Sequence, residues 1–306
     1  MQSKIQFKRD NFMKIGLVGY QGSGKSSLFH WLTGEQPDPS LSHSGQSAMA
    51  TVPDARVEPL CAIYSPKKVT LASLEIVDTP GLSRTHEGNA QRLALIREAG
   101  CLVLVIAAYD GSNPANDISA FNEDLMLADM EIVSGRISRI EDTLKRPIPK
   151  PEREKHEFEL ETLKLVYEAM EAGQPLREED LNDEQQKVTR AFRLLSAKPR
   201  MVVVNTGDDE DDPARFDTLA TDEMPVFAVS VGLELELGQM SPEEQQEFRA
   251  EMGIETAADH DAIIRSIMQT SGQMLFLTAG EKEVRTWMIR KGSSAVEAAG
   301  EIHSDI

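Results

Sequence analysis

Gly19-Tyr20-Gln21-Gly22-Ser23-Gly24-Lys25-Ser26 fits the pattern G-x4-G-K-[ST], a spacing suited to holding phosphate. Glycines let successive backbone N–H groups turn toward one anion, and a helix starting at the loop's end adds its positive terminus. Gly19, Gly22, Ser23, Gly24 and Ser27 are expected to line that cradle. Lys25 reaches the β- and γ-phosphates, and the Ser26 hydroxyl ligates Mg²⁺. A second group, Asp78-Thr79-Pro80-Gly81, follows the apolar stretch Ile76-Val77. Behind a phosphate loop, this D-x-x-G lets Asp78 support Mg²⁺ and the Gly81 amide sense the γ-phosphate. Alone the pattern is weak; after a strand and a phosphate loop it is specific. Ser26 and Asp78 are therefore the expected metal residues, with Lys25 and Gly81 at the reacting phosphate.

A third group, Asn205-Thr206-Gly207-Asp208, ends the apolar run Met201–Val204. It stands where GTPases carry N-K-x-D, whose aspartate accepts two hydrogen bonds from guanine. Thr206 replaces the lysine whose stem covers the base. Ser230-Val231-Gly232 matches the short loop that closes a base pocket. The expected ligand is a purine triphosphate, GTP or ATP, with Asn205, Thr206, Asp208, Ser230 and Val231 at the base end.

These groups need a scaffold. Lys14–Val18 reads as a strand feeding the loop, and Leu28, Phe29, Trp31 and Leu32 continue with helical spacing. Val69–Val77, Cys101–Ala108, Met201–Val204 and Val226–Val229 read as further strands. Cys101–Ala108 is apolar almost throughout, as a strand buried on both faces should be. Helical stretches such as Gln91–Ala99 lie between them. Alternating strands and helices imply an α/β fold with a mostly parallel sheet, and the three motif groups on it resemble those of a Ras-like P-loop G domain.

From about Ile118 to Ala197 no strand signal occurs. Leu125, Ala128, Ile132, Ile137, Ile140 and Leu144 mark one amphipathic helix, and Phe158, Leu160, Leu163, Val166, Tyr167 and Met170 a second. The turn Arg146–Glu152 (RPIPKPE) separates them, since proline cannot continue a helix. The expected result is an inserted antiparallel helical hairpin whose apolar stripe packs on itself. The domain division is 13–113 with 199–277 for the nucleotide-binding part, 114–198 for the insert and 278–306 for a C-terminal module.

Composition narrows the class. With 40% hydrophobic and 27% charged residues the chain has an ordinary globular balance, and no apolar run is long enough to span a bilayer. The first twelve residues lack the apolar stretch of a secretory signal, and Met13 is an equally good start. Two cysteines far apart in sequence fit a reducing cytoplasm. A net charge of −19 argues against a general nucleic-acid coat, while leaving room for a local patch docking on RNA in a larger assembly. Part of that charge is the run Asp208–Asp212, read as a solvated loop.

Taken in order, the motifs resemble those of Obg-related NTPases of the YchF type. Val52–Val57 (VPDARV), Leu127–Val133 (LADMEIV) and above all Thr278–Gly292 (TAGEKEVRTWMIRKG), followed by AAGEIHSD, carry the resemblance. It covers nearly the whole chain beyond Met13. It implies a G domain, a coiled-coil-like insert and a ubiquitin-like TGS module, of which the first hairpin and helix are present. It also implies slow hydrolysis, often favouring ATP over GTP, and association with ribosomes or stress regulation.

The chain departs from that pattern at several points. Gly22 stands where the family carries asparagine, and Leu104 and Ala107 replace a histidine and an arginine of the central strand. The base motif ends in Asp208 rather than glutamate. For the switch I Mg²⁺ ligand, Ser42 is the aligned candidate and Thr51 a nearby one. Leu82 follows D-x-x-G where Ras-like GTPases place a water-orienting glutamine; the YchF type shares that hydrophobic substitution. Arg84, His86 and Glu87 lie close behind, with His86 read as an exposed loop residue rather than a base. A slow regulatory NTPase is the expectation; the alternative is a scaffold that binds nucleotide without hydrolysing it.

Overall fold

The computed structural model describes residues 13–109, 111–174, 180–208, 210, 212–252 and 258–302. Residues 1–12, Asp209 and Asp211 of the acidic run, and the HSD that ends the last motif lie outside that set.

Strands β1 (Lys14–Val18), β4 (Ser73–Asp78), β5 (Cys101–Ala107), β6 (Arg200–Asn205) and β7 (Val226–Val229) run parallel, and β2 (Gln46–Thr51) adds an antiparallel edge. The order is β2-β4-β1-β5-β6-β7. Every residue of β5 is buried. Because side chains alternate across a strand, Cys101, Val103 and Val105 join the core on one face and Leu102, Leu104 and Ile106 the core on the other. The first face is covered by α1 (Lys25–Thr33) and α9 (His260–Thr270), through Leu28, Phe29, Ile263 and Ile267. The second is covered by α3 (Asn89–Ile96) and the start of α4 (Pro114–Leu144), through Ile96, Ile118, Phe121 and Leu125. Leu104 and Ala107, two of the departures noted from the sequence, are core residues. Helix α3 starts two residues earlier than its periodicity suggested and stops at Ile96, where Gly100 N–H turns to pair with the Lys14 carbonyl.

Helix α2 (Val57–Tyr64) follows β2, and the hairpin pairs α4 with α5 (Lys150–Glu171). Asn113 caps α4 by accepting from Ala115 N–H at 3.0 Å and Asn116 N–H at 3.3 Å. Helix α5 begins inside the expected Arg146–Glu152 turn, because Pro151 sits in the first turn, where a missing N–H breaks no helical bond. The stripe packs on itself through Val133, Ile140 and Leu163, with Ile137, Leu144, Leu160 and Tyr167 around them. Ile132, expected in that stripe, is instead 38% exposed, and its neighbour Val133 takes the buried position. Arg136 joins the helices through a two-point bond to Glu159, at 2.8 and 2.9 Å. A short helix α6 (Asp183–Arg190) leads back. Asp129, fully buried on α4, fastens that return: it accepts from Leu195 N–H, Ser196 N–H and Ser196 Oγ and pairs with Arg97 at 2.6 Å.

Helices α7 (Val231–Leu237) and α8 (Pro242–Met252) follow β7. A second sheet, β3-β9-β8, combines β3 (Val69–Thr70), β8 (Gln273–Ala279) and β9 (Val284–Arg290), and α10 (Ala295–Ile302) follows. The expected single strand Val69–Val77 is thus two strands in two sheets. Between them Ala72 leaves both ladders, its N–H donating to Thr286 Oγ1 at 2.7 Å and its carbonyl accepting from Val52 N–H at 2.8 Å. The hairpin β8–β9 begins at Gln273, upstream of Thr278, and stacks Phe276 on Trp287 at 6.2 Å.

Candidate nucleotide-binding site

Strand β1 delivers the chain to a loop that only glycine can form at two points. Gly19 has φ 146°, and a Cβ there would lie 2.4 Å from the Val105 carbonyl oxygen. Gly24 has φ 92°, and a Cβ would lie 2.1 Å from Asn205 Nδ2. Helix α1 then opens with Lys25, which is buried, its Nζ donating to the Tyr20 carbonyl at 2.6 Å and to Ser23 Oγ at 3.4 Å. Burial pulls the Lys25 amine down to about 8, against the opposing attraction of Asp78. The ammonium is curled into its own loop, with no carboxylate in direct contact among the described residues.

Asp78 ends β4 beside Leu17 of β1. Its Oδ2 accepts from Ser26 Oγ at 2.6 Å, while Oδ1 is buried with no hydrogen-bond partner among the described residues. Burial raises the carboxyl above its ordinary range, more than the Ser26 bond and Lys25 lower it. A buried, orphaned carboxylate oxygen beside a hydroxyl is a hard-oxygen donor set that fits Mg²⁺. Thr79 pins this corner through a 2.6 Å bond to the Leu17 carbonyl.

Gly81 lies on the phosphate loop: a Cβ there would meet Lys25 Nζ at 2.7 Å and Gln21 N at 2.9 Å. Leu82 then bridges to the loop, its carbonyl accepting from Gln21 N–H and its N–H donating to the Gly19 carbonyl, both at 3.0 Å. The Leu82 side chain is fully buried among Tyr20 and Phe121, so no water-orienting group stands there.

At the base end the side chains divide. Asn205 turns inward, Nδ2 donating to the Ser23 carbonyl at 3.3 Å and Oδ1 accepting from Val231 N–H at 3.1 Å. It braces the phosphate loop against the second base loop. Thr206 is buried, with its N–H on the Val229 carbonyl. Val231 is buried too, and its N–H is the one that Asn205 holds. Ser230 caps α7 and donates to Asp208 Oδ1 at 2.5 Å, leaving Asp208 exposed at the rim.

Gly22, Lys25, Ser26, Asp78 and Gly81 line one cavity of about 440 Å³, within the usual range for a small-molecule site. Asn205, Asp208 and Ser230 form a separate group beside it. Ser42 lines the cavity with Asp38 and His43, whereas Thr51 sits at the far end of β2 opposite Ser73. His86 has φ 61° and a largely exposed side chain 3.4 Å from Asp124 Oδ1, away from the cavity. Arg84 grips Asp117 at 2.7 and 2.8 Å. Three contributors carried no motif signal: Tyr109, which donates to the Gly22 carbonyl; Tyr20, which donates to Asp124; and Arg92, which lines the cavity. Tyr20 occupies an x position of the motif, where the pattern says nothing.

A family model described as 50S ribosome-binding GTPase matches residues 14–134, and the YchF-GTPase C-terminal model, described as a protein of unknown function, matches 274–306. The ribosome-binding ATPase YchF of Bacillus subtilis is 32% identical over 318 residues, covering 96% of this chain and 85% of that protein. The protein of the same name from Escherichia coli O157:H7 is 29% identical, covering 95% and 85%. Among solved structures, the YchF GTPase of Schizosaccharomyces pombe superposes with a TM-score of 0.78 at 26% identity, covering 99% of this chain and 87% of that one.

Proposed function

This chain belongs to the YchF family of P-loop NTPases, and from that premise we propose that it is a ribosome-associated switch that binds a Mg²⁺–purine triphosphate and hydrolyses it slowly. The observation that carries the reading is the meeting of Lys25, Ser26, Asp78 and Gly81 at one cavity. The B. subtilis relative is named a ribosome-binding ATPase, which supports both the ribosome as partner and the cytoplasm as location.

Lys25 is the charge for the β- and γ-phosphates, and the backbone of Gly22, Ser23 and Gly24 and the start of α1 cradle them, together with Ser26 and Ser27. Ser26 and Asp78 would hold Mg²⁺, which when bound neutralises phosphate charge. Gly81 would report the γ-phosphate, because any movement at its amide pulls on Leu82 and its two bonds to the loop. Asn205, Thr206, Asp208, Ser230 and Val231 shape the base end. Residues 13–113 and 199–277 would form the nucleotide-binding part, 114–198 the hairpin, and 278–306 a TGS-like segment to which β3 lends a strand.

The buried Leu82 favours a second reading, a nucleotide-binding scaffold without hydrolysis. Single-turnover phosphate release and equilibrium binding, with ATP and GTP side by side, separate the two. Binding lost in Lys25→Ala with release above that variant's background supports the switch. Binding without release supports the scaffold, and undiminished binding by Lys25→Ala refutes both. Asp208→Asn should weaken GTP and spare ATP if the carboxylate reads guanine.

A further inference from the structure

We propose that Arg92 contacts the γ-phosphate of the bound triphosphate and supplies, from within the chain, charge stabilisation for its transfer. The proposal rests on the nucleotide-binding reading of the cavity. Arg92 lies on the first turns of α3 and lines that cavity with Lys25, Ser26 and Gly81. Apart from Lys25, it is the only lysine or arginine to do so among the described residues.

Its guanidinium is steered rather than neutralised. Nη1 donates to the Glu87 carbonyl at 3.0 Å and to Asn89 Oδ1 at 3.2 Å. Glu87 belongs to the segment joining Gly81 to α3, and Asn89 is the first residue of α3. Asn89 is itself buried and clamps that segment shut, with Oδ1 accepting from Ser83 N–H at 2.8 Å and Nδ2 donating to the Ser83 carbonyl at 2.9 Å. By contrast, Arg84 and Arg97 are matched to Asp117 and Asp129. Arg92 makes no ion pair among the described residues, in a chain with 51 acidic side chains. An arginine held by neutral acceptors, facing a cavity built for polyphosphate, retains its donors for an anion.

In the transfer, water oxygen bonds to the γ-phosphorus as the β–γ bridging P–O bond breaks. The electron pair leaves with the diphosphate, and the water proton passes to the released phosphate. Negative charge shifts toward the bridging oxygen and the equatorial oxygens, where a guanidinium stabilises it. Leu82 offers no such help, and Arg92 reaches from α3 onto the segment that follows Leu82, through the Glu87 carbonyl.

The test uses the full chain as wild type, Arg92→Ala and Arg92→Lys, with Mg²⁺, titrated with β,γ-imido ATP and GTP and with ADP and GDP. One charged hydrogen bond predicts that Arg92→Ala weakens the imido-triphosphates about 10-fold or more and leaves diphosphate affinity within about 2-fold. Single-turnover hydrolysis should fall about 100-fold or more, with Arg92→Lys restoring binding better than rate. An unchanged triphosphate-to-diphosphate ratio overturns the proposal, whether both affinities hold or both fall together. A wild type that binds no nucleotide overturns this proposal and the functional reading together; a wild type that discriminates while Arg92→Ala does so equally overturns this one alone.

Discussion

The phenol of Tyr20 donates to the Asp124 carboxylate at 3.0 Å, which ties the phosphate loop directly to the first helix of the inserted hairpin. Its ring meets Phe121 edge-on at 5.6 Å, and the Arg84 guanidinium lies 4.3 Å above it while holding Asp117. Burial and the neighbouring carboxylate push the Tyr20 hydroxyl above its ordinary range, so it stays a donor. Phosphate loop, the segment after Gly81 and hairpin thus share one polar cluster over an apolar floor.

Removing that donor should loosen the coupling without emptying the site. Tyr20→Phe keeps the ring and leaves a carboxylate oxygen short of a partner, which should cost about 1 kcal/mol in unfolding experiments. In wild type, amide exchange along residues 114–125 should slow when triphosphate binds; in Tyr20→Phe that response should shrink. An identical response in both proteins would mean that the hairpin is not read through this bond.

Gly81 has no room for a side chain. The Lys25 amine could move from an added methyl, but the Gln21 backbone at 2.9 and 3.0 Å belongs to the loop itself. Gly81→Ala should therefore lift this segment, break the Leu82 bonds to Gly19 and Gln21, and raise the dissociation constant for triphosphate more than for diphosphate. Equal binding of both by the variant and wild type would show that this contact is idle.

Lys25 gives a pH dependence with two opposite signs. Its amine titrates near 8 in the folded chain against 10.5 for an ordinary lysine. Between those values the unfolded chain binds more protons, so this group's contribution to apo stability rises with pH through that window. Phosphate needs the ammonium, so above about pH 8 binding must also take up a proton, and affinity should fall by up to about 10-fold per pH unit. Calorimetry in buffers of different ionisation enthalpy measures that uptake at pH 9, and Lys25→Met should show none. A flat affinity profile from pH 7 to pH 10 would remove Lys25 from direct phosphate contact.

What the sequence alone determined was whatever depends on short stretches of backbone. Gly19 and Gly24 are legible because their left-handed dihedrals and lack of space admit no other residue. Strand β5 is legible because a run buried on both faces must be apolar throughout. Asp78 is legible because it closes a strand just before a glycine turn. The tertiary structure decided the rest. Only the order β4-β1-β5-β6 brings Asn205 against Ser23 and makes it a brace. Only the packing of α3 and α4 on one face of that sheet sets Arg92 at the cavity and Asp124 against Tyr20. The break at Ala72 is met by Thr286, from far along the chain, whose Oγ1 accepts the Ala72 N–H. Backbone demands are satisfied within a few residues and leave a mark in residue type. A polar side chain takes whichever partner the folded sheet presents, and no local pattern encodes that choice.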